Sequence, residues 1–347
     1  MLALSARSTE DSSAWPENQL RQCGKAGVFR WFIPEQWEGS GDSSVQIVRG
    51  YLKLAAACLT TTFVITQRAG ACKRITASSN DSLRDRLLPK LASGEISATL
   101  GISHLTTSHR HTGVPTLAAT PVDGGWELNG FCPWVTGAAY ADYIVVGAET
   151  TSGQKGDSPA QILIALPTEL PGVTCHPGHS LVALSGSNTG KVELKEVFVA
   201  EEFVLAGPVE QVLKSGKTSS TGGLQTSALA IGLATAAIDY VGEQAKNRVQ
   251  LTDNHQAMRE ELELLQANIL DLADGNQVCS NEQLRISANS FVLRATQSAL
   301  VAAKGAGFVA SHDVGRWCRE ALFFLVWSCP QNVSNANLCE FAGIQEL

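Results

Sequence analysis

The stretch GGWELNGFCPWVTGAAYADYIVVGAE, residues 124–149, decides the fold. Its runs are short and rich in β-branched and aromatic residues, and glycines punctuate them. That texture predicts strands separated by turns. ISATLGIS (96–103), AQILIALP (160–167) and KVELKEVFV (191–199) share it. Together they predict an antiparallel β domain, a barrel or sandwich, over residues 97–205.

On either side the texture becomes helical. Residues 1–96 contain GYLKLAAACLTTTFVITQRAGACKRI (50–75), apolar nearly all round, which predicts a buried helix. Residues 206–347 carry four helical runs, at 223–251, 254–275, 280–307 and 315–329. The second shows an apolar stripe with acids opposite, and the third opens with Ser280 and Gln283 at capping-box spacing. Small residues around Ala230, Gly232 and Ala234 permit close helix contact, in a core or at an oligomer seam. Segregated helical, β and helical runs argue for a multidomain α+β chain rather than an alternating α/β sheet.

A chain of 347 residues fits two or three domains. Net charge −7 and a pI near 5.5 give no basic patch of nucleic-acid type. The nine cysteines show no CxxC spacing and read as reduced structural thiols of a cytoplasmic protein. The N-terminus lacks a charged-then-apolar signal pattern. Apolar runs such as LAAACLTTTFVI fall short of the roughly 20 residues that span a bilayer. Neither nucleic acid nor a membrane is therefore an expected partner.

Six motifs in order resemble the acyl-CoA dehydrogenase superfamily. They are FIPEQWEGSG (32–41), LLPKLASGEISATLGIS (87–103), the opening stretch (124–149), SGSNTGKVELKEVFV (185–199), AKNRVQL (245–251) and KGAGF (304–308). The resemblance implies a helical N-terminal domain, a middle β domain and a C-terminal four-helix bundle. It also implies FAD as cofactor, near a subunit interface of a homodimer or of a tetramer built from dimers.

By the same resemblance Trp134 packs on the flavin ring and Thr136 bonds near its N5. A flat apolar ring with a polar edge needs such an aromatic wall and such a donor. Ser103 and Ser108 fall on the segment that runs beside the flavin and its diphosphate. His104 stands in that segment where the family has glutamate, a candidate acid, base or hydrogen-bond donor. His109 and His111 follow, but no cysteine or carboxylate cluster accompanies them, so no metal site is expected. Arg248 matches an arginine that reaches a neighbour's diphosphate, which a guanidinium suits. Gly305 and Gly307 keep the family's turn, with Lys304 and Val301 replacing its first glycine and its glutamine.

Acyl-CoA dehydrogenation needs a carboxylate to take an α proton. Counting from KGAGF, Arg316 and Arg319 match the family's arginines, Trp327 takes its tyrosine and Ser328 its glutamate. A serine hydroxyl is far too weak a base unaided. The family's other base position falls near Gly222, with no acid close by. Glu320 and Asp239 are the nearest candidates along their helices. Three readings stay open: a dehydrogenase of acyl-CoA or another small substrate with a relocated base, a monooxygenase or oxidase on the same fold, and a non-catalytic partner protein. An external flavin reductase or electron acceptor is a further possible partner.

Overall fold

The computed structural model describes residues 14–105, 115–151, 160–214 and 223–344. Among the described residues four α-helices come first: α1 (Glu17–Lys25), α2 (Ser44–Ala57), α3 (Leu59–Thr76) and α4 (Asp81–Ser93). A capping box starts α2, where the Ser43 hydroxyl accepts from the Gln46 N–H and the Gln46 side chain accepts from the Ser43 N–H. α3 is buried nearly all round, as its composition predicts.

The single helix expected over 50–75 is two, broken at Cys58. That residue is extended, at φ −161°, ψ 106°. The Thr62 hydroxyl donates to the Cys58 carbonyl at 2.7 Å, and Thr61 Oγ1 lies 3.2 Å from Cys58 Sγ. Such local side-chain bonds offer the backbone an alternative to continuous helix.

Eight strands follow: β1 (Ala98–Gly101), β2 (Leu117–Val122), β3 (Gly125–Thr136), β4 (Tyr143–Thr150), β5 (Gln161–Pro167), β6 (Val173–Cys175), β7 (Thr189–Ala200) and β8 (Val204–Val209). They form one sheet in the order β6-β7-β3-β2-β4-β5-β8, with β1 beside β4. The expectation of a purely antiparallel domain needs correction. β1 and β2 both run parallel to β4, so the sheet is mixed. The sheet keeps its own core, around Leu117, Leu128, Val135, Ile144, Ile162 and Val192.

The C-terminal helices are α5 (Leu224–Ala245), α6 (Thr252–Asp274), α7 (Asn281–Ala303), α8 (Asp313–Ala321) and α9 (Gln331–Ala342). Met258, Leu262, Leu265 and Ile269 form the buried stripe of α6. The Ser280–Gln283 capping box is present at the start of α7. The run expected helical to Cys329 ends as α-helix at Ala321 and continues as a 3-10 turn over Leu322–Leu325. Pro330 then starts α9, which the sequence reading lacked.

A second core joins the helices from both ends of the chain, from Cys23 to Phe324. Gly232 makes this possible. A Cβ there would lie 2.7 Å from Ala55 Cβ and 2.7 Å from the Leu52 carbonyl oxygen. The small-residue face of α5 is therefore a packing face for α2. α5 is the one described helix long and apolar enough to cross a bilayer, yet two thirds of it is buried within the protein.

Candidate functional site

β3 places Trp134 and Thr136 on one face of the sheet, two residues apart. Trp134 is 53% exposed, unusual for so large an apolar surface, while Thr136 is buried. The His179 ring stands 5.0 Å from the indole, tilted by 58°, and leaves part of the ring face open. Behind it runs a chain of buried hydroxyls. Thr136 Oγ1 lies 2.9 Å from Thr189 Oγ1, and Ser187 Oγ lies 2.8 Å from the same atom. The Thr99 hydroxyl donates to the Thr136 carbonyl at 2.7 Å, which fixes the end of β3. An exposed indole beside a fixed hydroxyl suits a flat ring with a polar edge.

Ser103 and His104 lie in a 3-10 turn directly after β1. Ser103 is half-buried. His104 is buried, and its Nε2 lies 2.7 Å from the Gly147 carbonyl on β4. Only a protonated Nε2 can donate there, which leaves Nδ1 as a buried acceptor without a partner. Burial lowers its pKa, and the bond to Gly147 offsets this in part. His104 thus ties the turn to β4 as a neutral imidazole. Ser108, His109, His111 and Gly222 lie outside the described residues. No group of three metal-ligating side chains occurs among the described residues.

Arg248 follows the C-terminus of α5. Its Nη2 donates to the Ala302 carbonyl at 2.6 Å and to Gln244 Oε1 at 2.7 Å. The arginine is thereby brought to the turn that holds Gly305 and Gly307. Gly307 is buried, and a Cβ on it would lie 2.7 Å from Ala303 Cβ. Gly305 faces open space. Lys304, in place of the family's glycine, sits at φ 54°, ψ −147°, a region nearly confined to glycine. Around this turn Val249, Val301, Phe308 and Val309 are exposed, Phe308 by 88%. Arg248 and the glycine turn thus form one group on the helical body, and Trp134 and Thr136 another on the sheet.

Ser328 lies in the turn between α8 and α9, exposed, with φ 46°. Trp327 beside it stacks on Phe323 at 4.9 Å and meets Phe63 of α3 edge-on at 5.1 Å. Arg285 of α7 donates to the Trp327 carbonyl at 3.1 Å and Asn289 to the Phe324 carbonyl at 3.0 Å. Burial lowers the Arg285 pKa to about 10. Among the described residues, no hydrogen bond or ion pair joins residues 322–329 to a carboxylate.

Neither acid nearest in sequence fills that absence. Glu320 is 1% exposed and takes both of its oxygens to Arg316 Nη1, at 2.9 and 3.1 Å. Burial alone would lower the Arg316 pKa, but Glu320 and Asp313 outweigh it and raise it. Asp239 is exposed and pairs with Arg259 at 2.5 Å.

Matches to known proteins place the chain in a family. The pattern of the acyl-CoA dehydrogenase N-terminal domain matches residues 2–95, and that of the middle domain residues 99–197. The chain belongs to the acyl-CoA dehydrogenase superfamily. The probable acyl-CoA dehydrogenase YngJ of Bacillus subtilis is 26% identical, over 92% of this chain and 88% of its own. The glutaryl-CoA dehydrogenase of Desulfococcus multivorans is 27% identical, over 67% of this chain and 60% of its own. Among solved structures, a glutaryl-coenzyme A dehydrogenase in complex with glutaryl-CoA aligns with TM-score 0.81 at 20% identity, covering 99% of this chain and 91% of that one. A nitrososynthase from Micromonospora carbonacea var. africana aligns equally well, at 0.81 and 18% identity, over 99% and 93%. Among the aligned solved structures, KijD3 is in complex with FMN and another protein is an FAD-dependent dehydrogenase, in line with the flavin cofactor read from the sequence.

Sequence reasoning named Trp134 and Thr136 but missed His179 and the Ser187–Thr189 hydroxyls behind them. It also missed Phe63. All three are set by folding, since no local motif links a residue of α3 or of the 178–189 loop to β3 or to the C-terminal turn.

Proposed function

We propose that this chain is an FAD-dependent oxidoreductase of the superfamily that uses oxygen rather than abstracting an α proton from an acyl thioester. The observation that carries this reading is the turn at Ser328, whose described contacts include no carboxylate, with Glu320 locked on Arg316. Bound flavin would supply two-electron redox chemistry. Trp134 would lie against its ring, and the Thr136 hydroxyl, fixed by Thr189, would meet its polar edge. Trp327, Phe323 and Phe63 would give the substrate an apolar wall and keep water from it. In this reading electrons come from an external reductase. One oxygen atom passes to the substrate and the other leaves as water.

Exposed Val249, Val301, Phe308 and Val309 around Arg248 support a homo-oligomer, dimer or tetramer, in which a second copy covers this face. Arg248 would then serve the diphosphate of the neighbour's cofactor.

Reaction of the reduced holoprotein tests the proposal. After loading with FAD and chemical reduction without oxygen, admission of oxygen should reoxidise the flavin rapidly. Trp134→Ala should weaken FAD binding about tenfold without unfolding the protein. A protein that takes up no flavin, or whose reduced flavin is inert to oxygen, would overturn the reading.

A further inference from the structure

Apart from Trp134 and the Ser328 turn, a cavity of about 440 Å³ opens between α1, α3 and the ends of β1 and β3. Of the candidate flavin residues its lining includes Thr136, but not Trp134, Ser103 or Arg248. The size suits a small organic ligand. One wall is aromatic: Trp15 stacks on Tyr140 with centroids 4.4 Å apart, and Phe29 stands in the same lining. Val64 and Ile65 of α3 extend the apolar surface.

The charges of this lining run against those of the protein. The chain carries net charge −7. The lining has three cations, Arg21, Lys25 and Arg68, against one acid, Glu17. Glu17, Arg21 and Lys25 recur every four residues along α1, so they share one face at the rim.

Arg68 lies inside and is buried. Its two terminal nitrogens donate to the carbonyls of Leu91 and Ile96, and its plane covers Phe29 at 4.2 Å. Nε has no partner. Among the described residues no carboxylate forms an ion pair with Arg68. Asp142 and Cys72 act on it only at longer range. A buried guanidinium without a counter-charge is costly unless an anion neutralises it.

We propose that this cavity binds a small organic carboxylate, its apolar or aromatic body against Trp15, Tyr140 and Phe29 and its charge towards Arg68. Arg21 and Lys25 draw the anion in at the rim. Thr136 is common to this lining and to the proposed flavin site, so binding is measured with and without FAD.

Calorimetry on the full chain, with and without FAD, tests this with two acid probes, 4-phenylbutyrate and decanoate. Their neutral alcohols, 4-phenylbutan-1-ol and 1-decanol, are the controls. At least one acid should bind about tenfold or more tightly than its alcohol, in both states of the protein. Arg21→Glu combined with Lys25→Glu lies on the exposed face of α1. This variant should weaken the acid several-fold and leave the alcohol and the melting temperature unchanged. Arg68→Gln should abolish the preference for the acid; if that variant does not fold, the rim variant decides alone. The proposal is overturned if neither acid binds at millimolar concentration, if acid and alcohol bind equally, or if rim charge reversal has no effect. Loss of FAD uptake with acid binding intact would sink the flavin reading and leave this one standing.

Discussion

Gly232→Ala tests the contact that joins the two ends of the chain. The new Cβ would lie 2.7 Å from Ala55 Cβ, 2.7 Å from the Leu52 carbonyl oxygen and 3.3 Å from the Ala56 nitrogen. Two of these are backbone atoms, so no rotamer change relieves the clash. Carbon atoms prefer about 3.5–4.0 Å, so α5 and α2 must part locally by about 1 Å. Such overpacking costs about 1–3 kcal/mol. Alanine returns about 0.8–1.0 kcal/mol of helix propensity, for a net loss centred on about 1 kcal/mol and reaching at most about 2 kcal/mol. Gly242 on the same helix is the control. The three atoms nearest its Cβ would all belong to the His255 ring, the closest being Nε2 at 2.6 Å, and that ring end can rotate away. Gly242→Ala should therefore be neutral or gain up to about 1 kcal/mol. At about 2.1 cal/mol/K per residue over 347 residues, 1 kcal/mol moves the melting temperature by roughly 1.4 °C. Scanning calorimetry should place Gly232→Ala about 1–4 °C below Gly242→Ala. Equal melting temperatures, or the reverse order, would refute the close α2–α5 contact.

Three further outcomes follow from the same structure. Lys304→Gly should raise stability by about 1 kcal/mol, because release of about 1–3 kcal/mol of backbone strain exceeds glycine's entropic cost of about 0.5–1 kcal/mol; urea melts would read it. Glu320→Gln leaves Arg316 buried with only Asp313 and should cost about 3–5 kcal/mol, whereas Asp239→Asn breaks an exposed pair worth at most about 1 kcal/mol. Buried His104 has its pKa lowered below 6.5, so the unfolded chain binds the extra proton first. Stability from this residue is complete above the unfolded value and is lost as pH falls below it; His104→Gln should flatten that part of a stability–pH curve.

The sequence revealed most where a local rule acts alone. Ser280 and Gln283 mark the start of α7 because both capping partners lie within one turn. The apolar stripe of α6 and the all-round apolar character of α3 state which faces are buried. Strand texture located the β domain, but side-chain alternation is the same for either direction of pairing. The parallel pairing of β1 and β2 with β4 was therefore invisible. The break at Cys58 depends on how Thr61 and Thr62 bond, and helix propensity averages over such bonds. α9 was missed because its exposed Leu338 and Phe341 blur the amphipathic pattern. Within the candidate site, motif position alone singled out Trp134, Thr136 and Ser328 as candidates. The lock on Glu320, the inward turn of His104 and the wall from Phe63 depend on contacts across the fold.

Anaerobic titration of the FAD-loaded protein with acyl-CoA thioesters of short, medium and long chain tests the central claim most directly. With no base at Ser328, the flavin band should keep its absorbance at every chain length, while chemical reductant still bleaches it. Bleaching by any of these thioesters without added reductant would contradict the account.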